Sequence, residues 1–372
     1  MKPVVIHLVE TFLGRSEVFI YNYVASHVGW QPFVLCRFTA NENEFPFQRR
    51  IVIPEPTTKR DLAWWLNKAV GAVTGRSLWH RRAEKVLRES LPRIIHAHFG
   101  QMGYAALPLK RALGIPLVTT FYGYDMSVLP TLPRWSERLK QLFVEGDLFL
   151  AEGACMRRKL IELGAPAHKV KIQRIAIHTD RYPAWQPNGE RPVVLFVGRF
   201  TEKKGLPAAL EAVREVRRRG QALLFRVVGD GDQRAEVEQY VAKNGLGDCV
   251  EFLGMKPHGE VIKELTRANV FIHPSRTASN GDTEGGAPTI LLEAQAVGVP
   301  IVTTRHADIP NVCPAGRGVW LADEFDDERL GEHLFQALLG GAGSDSSFVR
   351  QNHDISREVL RLEEEYRQLA KT

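Results

Sequence analysis

Asn269-Val-Phe-Ile-His-Pro-Ser275, a polar loop, Glu284-Gly-Gly-Ala-Pro-Thr-Ile-Leu-Leu-Glu293-Ala294 and Gly298-Val-Pro-Ile-Val-Thr-Thr304 form the stretch whose reading decides the fold. Val270 to Ile272 and Ile301 to Thr304 are short β-branched runs of the kind found in buried parallel strands. Between them Pro288 suits the first residue of a helix that Gly298 ends, with Pro300 beyond it. Strand, loop, helix and strand in that order are the repeating unit of an α/β sheet. The two glycines of the loop deliver the chain onto a helix N-terminus, where free N–H groups and the positive dipole end favour an anion. Glu284 stands just before that loop and Glu293 lies inside the helix. Two carboxylates beside an anion site suit a ligand that also carries hydroxyls, because carboxylates accept from vicinal OH groups. A nucleotide sugar has both parts. The plainer alternative is an acidic loop followed by an ordinary amphipathic helix.

The same alternation extends upstream. Tyr182 to Pro192 holds three prolines and no periodicity, and reads as a linker. Beyond it Val193 to Val197 is a strand, followed by Gly198-Arg199-Phe-Thr-Glu-Lys203-Lys204-Gly205 and a helix from Pro207 to Arg219. Leu223 to Val228 is the next strand; it ends in Gly229-Asp230-Gly231-Asp232, and Val250-Glu-Phe-Leu-Gly254 continues the series. Arg199 and Lys204 in one strand-to-helix loop are able to approach phosphate oxygens, Arg as a fork and Lys as a point charge. Beside a glycine-rich helix start on the same sheet edge, the pair reads as a diphosphate clamp.

The first half is a second α/β series. Val4 to Val9 is a strand; Gly14 then lets backbone come close to a ligand, and Ser16 suits the N-cap of a helix over Val18 to Val28. Phe33 to Phe38, Ile94 to His98, Leu117 to Thr120 and Leu148 to Ala151 are further strands. Loops at the carboxyl ends of strands line the ligand crevice of an open α/β sheet, so His98, Tyr122 and Asp125 stand where a substrate would lie.

Length and charge frame these readings. A chain of 372 residues is too long for one core, and two domains are expected. No apolar run reaches the length of a membrane span, and Met1 to Glu10 begins a strand rather than a signal peptide. Cys36, Cys155, Cys249 and Cys313 are scattered without metal-type spacing, which suits a reducing cytoplasm. The charge is lopsided: Met1 to Trp185 holds 26 Lys and Arg against 15 Asp and Glu, and the remainder 23 against 28. The basic half is expected to face something anionic, either a membrane surface, a nucleic acid or a phosphorylated substrate. Within it Lys59 to Arg93 carries nine basic residues with Trp64, Trp65 and Trp79, and Leu62, Trp65, Leu66, Ala69 and Val73 recur at helical spacing. A basic amphipathic segment with tryptophans at its apolar edge reads as an interfacial membrane contact; a helix packing its tryptophans into the core is the alternative.

Taken together, four motifs resemble the retaining glycosyltransferases of family 4 in order and spacing. They are Gly198-Arg199 with Lys204-Gly205, Val227-Val-Gly-Asp-Gly231, Val250-Glu-Phe-Leu-Gly254, and Glu284-Gly…Pro288…Leu-Glu293-Ala294. His96-Ala-His-Phe-Gly100, Tyr122-Gly-Tyr-Asp125 and the Leu163-Gly164 turn agree more loosely, and the resemblance covers essentially the whole chain. It implies a GT-B fold, an α/β architecture of two Rossmann-like doubly wound domains facing each other across a cleft. The first domain would be residues 1–185, with a last helix (355–372) crossing back onto it; residues 186–354 would form the donor domain. It implies that Arg199 and Lys204 hold the donor diphosphate as leaving group, and that Glu284 binds a hydroxyl of the transferred sugar. Glu293 would take the ribose hydroxyls. The donor set would be completed by Gly198, Gly229, Gly254, Gly285, Gly286, Ala287, Pro288 and Thr289, and the acceptor or sugar side by Gly14, Ser16, His98, Tyr122 and Asp125.

Two departures from the family pattern stand out. Eight residues separate Glu284 from Glu293 where the family usually has seven, and Tyr122 stands where many members carry His. No Asp-x-Asp metal cradle appears beside the clamp; Asp230-Gly-Asp232 has that spacing but follows a core strand. Two basic side chains and a helix dipole are able to stabilise a departing diphosphate without a metal. The expectation is a metal-independent, cofactor-free enzyme that retains anomeric configuration, with front-face displacement favoured. It would be cytoplasmic and peripheral on the inner membrane face, moving a sugar from a UDP-, GDP- or ADP-linked donor to a glycan or lipid-linked acceptor. Cell-surface polysaccharide biosynthesis is the expected setting, and nucleic acid is not an expected partner. A sugar-nucleotide epimerase of the same fold and a non-catalytic nucleotide-sugar-binding subunit are the alternatives.

Overall fold

The computed structural model describes residues 2–14, 17–54, 65, 70, 77–187, 189 and 191–371. Ser16 and most of the basic segment from Lys59 to Arg76 lie outside the described residues. The chain divides into two compact units, Met1–Ala176 with Ile355–Thr372, and Ile177–Asp354.

The first unit is built on seven parallel strands: β1 (Val4–Phe12), β2 (Gln31–Thr39), β3 (Arg50–Val52), β4 (Pro92–His98), β5 (Leu117–Thr120), β6 (Leu148–Ala151) and β7 (Val170–Ile172). Their order is β3-β2-β1-β4-β5-β6-β7. The second unit has six: β8 (Val193–Val197), β9 (Leu224–Val228), β10 (Val250–Gly254), β11 (Val270–His273), β12 (Ile301–Thr304) and β13 (Val319–Ala322). These lie in the order β10-β9-β8-β11-β12-β13. Both sheets therefore reverse direction once, between β1 and β4 and between β8 and β11. Ligands of open α/β sheets bind outside the carboxyl ends of the strands at such a reversal.

Strands covered by helices on both faces read as continuous apolar runs, and β5, β6, β11 and β12 are buried at every position. Leu8, Leu35, Ile95, Leu117 and Phe149 centre one core, and Phe196, Phe225, Val227, Ile272 and Leu334 the other. The helix Ile355–Leu369 belongs to the first unit, where Ile355, Val359, Leu362 and Tyr366 pack against Val5, Ile94, Val118 and Leu148. The proline-rich stretch belongs to the second unit: Trp185 N–H donates to the Val297 carbonyl and its indole to that of Ala268.

At Trp79 the alternative reading of the basic segment, a tryptophan packed into the core, is the one the structure takes. Trp79 is buried, its indole donates to the Ile53 carbonyl at 2.9 Å, and it belongs to the first core rather than to a membrane-facing edge. The helix Leu78–Ser90 that carries it exposes Arg81, Arg82, Lys85 and Arg88 on the opposite side.

Candidate active site

In the second unit the functional side chains gather at the carboxyl ends of β8 and β11. The chain leaves β8 through Gly198 and Arg199, makes a short turn at Glu202–Lys204, and enters the helix Leu206–Arg218 at Gly205. Gly205 has φ of +70°, and a Cβ there would lie 2.0 Å from the Pro274 carbonyl oxygen. That contact is possible only for glycine, so the turn carrying Lys204 is pressed against the end of β11. Gly229 plays the same part after β9: its φ is +134°, and a Cβ would meet the Gly198 carbonyl at 1.9 Å.

Lys204 Nζ lies 2.7 Å from Glu284 Oε1, and both side chains are largely buried. Burial alone would raise the Glu284 carboxyl, but the Lys204 and Lys203 ammonium groups bring it down to about 2. Glu284 therefore stays ionised, with Ser275 Oγ at 3.4 Å as a further, weak donor. Lys203 has a different task. It bridges Asp282 at 3.0 Å and the Thr283 carbonyl at 3.1 Å, fixing the loop that leads to Glu284. Arg199 is exposed and, among the described residues, its side chain makes no hydrogen bond or ion pair.

The helix Thr289–Val297 is apolar and buried from Leu291 onward, as befits a helix enclosed on all sides. Pro288 is its N-cap residue rather than its first helical residue, and Gly298, at φ +93°, is its left-handed C-cap. The N–H groups of Gly285, Gly286 and Ala287, just before the helix, make no hydrogen bond among the described residues. Glu293 is buried on this helix, with His258 Nε2 at 3.0 Å and the Tyr182 hydroxyl in hydrogen-bond contact. Gly254, at the end of β10, accepts the Gly229 N–H at 3.0 Å and has φ of +66°.

In the first unit the candidates converge at the end of β4, but on a buried network. Register pairs His7 of β1 with His96 of β4, and His98 follows on the same face. His7 Nδ1 and His98 Nε2 are 3.0 Å apart, and His98 Nδ1 is 2.6 Å from the Tyr122 hydroxyl. Burial pushes all three imidazoles down, His98 to about 3, so they are neutral at physiological pH. Among the described residues His7, His96 and His98 are the one group whose ligand atoms lie within 4.8 Å of one another as a metal site requires. Each of their six ring nitrogens already has a hydrogen-bond partner, which a cation would have to displace. Phe99, next in the chain, has φ of +72°, as does Leu13 after β1 at +70°. Positive φ at bulky residues stores about 1–3 kcal/mol each and gathers at functional sites.

Asp125 is fully buried and accepts the N–H groups of Gly100, Tyr122 and Gly123 at 2.8, 3.1 and 2.9 Å. It fixes its own turn to the start of the helix Gly100–Leu113 and is not presented to a ligand. Gly14 is half-buried, its carbonyl accepting from Glu17 at 2.9 Å.

These features meet known proteins at both ends of the chain. The family described as Glycosyltransferase Family 4 matches residues 26–181, and Glycosyl transferases group 1 matches residues 180–352. The colanic acid biosynthesis glycosyltransferase WcaL of Escherichia coli (a putative assignment for that protein) is 36% identical over 283 residues, 72% of this chain and 68% of its own. The amylovoran biosynthesis glycosyltransferase AmsK of Erwinia amylovora is 35% identical over 67% of this chain. This chain belongs to glycosyltransferase family 4. It spans 62% of the length of AmsK and 63% of the Salmonella typhimurium WcaL. The Anabaena protein HepE, solved with UDP and glucose, superimposes with a TM-score of 0.79 at 15% identity, covering 99% of this chain and all of that one. That likeness is one of fold, and the two parallel sheets are those of GT-B proteins.

In this member of family 4 several residues around the candidate site carry no mark in the sequence that singles them out. His306 accepts the Glu284 N–H at 3.0 Å while its other nitrogen faces Glu324 at 2.7 Å, so a histidine–carboxylate pair aims the loop. His273 ends β11 beneath Gly198, buried between Phe196 and Phe271; among the described residues neither ring nitrogen meets the geometry of a hydrogen bond, the nearest acceptor being the Val197 backbone. His258 and Tyr182, the partners of Glu293, lie 35 and 111 positions from it in sequence. The one available signal was position at a strand end, which His273 and His306 shared with residues that were singled out.

Proposed function

We propose that this chain transfers a sugar from a nucleoside-diphosphate sugar to a glycan or lipid-linked acceptor, with retention, in the making of an exopolysaccharide. The observation that carries the reading is the Lys204–Glu284 pair at the β8–β11 reversal, beside an unpaired Arg199 and a loop with open N–H groups. A cation held by a single carboxylate is exchangeable: an arriving diphosphate takes Lys204, and Glu284 is released to a sugar hydroxyl. The acceptor oxygen attacks the anomeric carbon while its proton passes to the departing diphosphate oxygen on the same face, and the bond to the diphosphate breaks with its electron pair going to that oxygen. Arg199 and Lys204 stabilise the charge developing there, so the chain's own residues supply the electrostatics without requiring a metal. Glu293, held by His258 and Tyr182, is placed to accept from the ribose diol.

The printed names of AmsK and WcaL, amylovoran and colanic acid biosynthesis, support the exopolysaccharide setting. The UDP complexes of HepE make UDP-sugars the first donors to try. Among the described residues no helix is long and apolar enough to cross a membrane, and the exposed cations of the helix Leu78–Ser90 suit peripheral contact with an anionic bilayer. Incubation with labelled UDP-, GDP- and ADP-sugars and a lipid-linked glycan tests the function. Transfer that survives EDTA and gives a product of retained anomeric configuration is expected. Isomerised nucleotide sugar would mean an epimerase, and binding without turnover a binding subunit. Sedimentation with anionic vesicles at low salt, and release as salt rises, tests the membrane contact.

A further inference from the structure

The last helix of the chain places Glu363 and Tyr366, one turn apart, into the histidine cluster of the first unit. Starting from Tyr366, the hydroxyl lies 2.5 Å from His96 Nδ1, and His96 Nε2 lies 2.7 Å from Thr120 Oγ1. Thr120 is in side-chain hydrogen-bond contact with Tyr122, and the Tyr122 hydroxyl lies 2.6 Å from His98 Nδ1. From His98 the path runs through His7 to His27 in two 3.0 Å contacts, and His27 Nδ1 meets Glu363 Oε1 at 3.1 Å. Seven hydrogen bonds thus leave the helix at Tyr366 and return to it at Glu363.

Each end dictates a direction. An ionised carboxylate only accepts, and Glu363 also takes the N–H groups of Val28 and Gly29, which together with His27 hold it below its usual range against the cost of burial. A neutral His27 therefore donates through Nδ1 and accepts at Nε2, whereas a charged one would donate from both nitrogens and reverse the links behind it. A neutral imidazole has one donor and one acceptor, so His7 donates through Nε2, His98 donates through Nε2, and Tyr122 donates to His98. At the other end Tyr366 is fully buried with His96 as its hydrogen-bond partner, and its proton would be orphaned unless it donates there. His96 then donates through Nε2 to Thr120, and Thr120 to Tyr122. The Glu363 end sets the four links as far as Tyr122 and the Tyr366 end the other three, and the two runs meet at the Tyr122 hydroxyl with one sense around the circuit.

We propose that His98 is a positioning residue: this one-way chain, set by Glu363 and Tyr366, keeps the Tyr122 hydroxyl proton turned inward and leaves its remaining lone pair to accept from a ligand hydroxyl at the end of β5. The role at the ligand rests on the acceptor-side reading of Tyr122 given above; the proton order does not. The last helix thereby controls the hydrogen-bonding character of a loop more than 200 positions away in sequence.

Imidazole nitrogen NMR on the full chain labelled with ¹⁵N-histidine reads each tautomer directly, with resonances assigned by single substitutions. At pH 7 the result expected is Nε2–H on His7, His96 and His98, and Nδ1–H on His27. A His98 carrying its proton on Nδ1, or a charged imidazole among the four, overturns the chain. Glu363→Gln replaces the anion with a group able to donate or accept, so a second tautomer set should appear for His27, His7 and His98; an unchanged single set overturns control by Glu363. In a transfer assay the same variant should raise KM for the acceptor severalfold while leaving nucleoside-diphosphate affinity unchanged. Ordered tautomers with an unaltered acceptor KM would leave the chain standing and remove Tyr122 from the ligand. Absence of any transfer by the wild type would instead sink the functional reading.

Discussion

Asp125 in the first unit and Glu284 in the second are largely buried carboxylates, each in the loop that follows the carboxyl end of a strand, β5 for Asp125 and β11 for Glu284. They are neutralised in opposite ways. Asp125 is held by three backbone N–H groups, which belong to the turn itself and go nowhere. Glu284 is held by the Nζ of Lys204, at the tip of a flexible stem and at the rim of the proposed anion site. A carboxylate satisfied by backbone is architecture, whereas in the proposed reading the one satisfied by a lysine is a latch that a diphosphate opens. The difference extends to whole regions: the first unit buries a neutral hydrogen-bonded network, and the second a network of charges.

Acid should separate the two regions, and this is the largest effect expected. His7, His96 and His98 remain neutral in the fold, while unfolded they take protons below about pH 6.5. Because their folded pKa values are depressed, their contribution is full above that pH and is lost as pH falls. Three such sites cost about 3 kcal/mol of stability between pH 6.5 and 5.5. Glu284, held near 2, keeps its contribution until pH falls below the ordinary carboxylate range of about 4.5. Hydrogen exchange should therefore show β1 and β4 losing protection between pH 6.5 and 5.5 while β8 and β11 keep theirs. Equal protection in both sheets across that window would break the comparison.

The clamp comes next. Arg199→Ala and Lys204→Ala should each lower turnover by roughly 10²-fold, the usual cost of removing one stabiliser of developing charge. Lys204→Ala carries a second signature, since the buried Glu284 loses its main partner and its carboxyl pKa must rise. Near-normal turnover in both variants would leave Lys204–Glu284 an ordinary salt bridge and Arg199 a solvated side chain. Asp125→Asn gives the contrasting result: about 1–3 kcal/mol less stability, because an amide cannot accept at both ends, with nucleoside-diphosphate affinity untouched. Chemical denaturation and calorimetric titration of one preparation measure both.

How far the sequence carried the fold follows from the same contrast. Strand runs such as Val193–Val197 and Ile301–Thr304 are contiguous and apolar, so their burial is written locally, and the helix Ile355–Leu369 is legible from its spacing. Arg199, Lys204, Glu284 and Glu293 stood out because each lies at a fixed offset from a glycine or proline that its turn requires, and the structure brings Lys204 and Glu284 together. Trp79 was open to two readings because an amphipathic basic helix looks alike whether its apolar edge meets lipid or the Ile53 backbone. The histidine chain was invisible for another reason. His7, His27, His96 and Glu363 come together only through strand pairing and helix docking, with up to 336 positions between bonded partners. Asp125 was correctly placed at a strand end, but nothing in its spacing reveals that three N–H groups would converge on it.

The smallest effect distinguishes the two glutamates of the second unit, and it tests whether the latch description is specific to Glu284. Glu293 is as buried as Glu284, but its partners are His258 and Tyr182, neither of which is pulled away by a diphosphate. It should act on the ribose in its resting geometry. Glu293→Gln weakens an acceptor without emptying the space, so free nucleoside diphosphate should bind about tenfold more weakly, the worth of one charge-assisted hydrogen bond. Glu284→Gln should leave that affinity nearly intact or slightly raise it, because Lys204 is freed for the phosphate, while transfer falls. Calorimetry with UDP, GDP and ADP reads the first effect and a turnover assay the second. If both substitutions weaken diphosphate binding alike, the extra residue between the two glutamates has turned Glu284 towards the nucleotide, and the exchange of Lys204 between carboxylate and phosphate is not how this site opens.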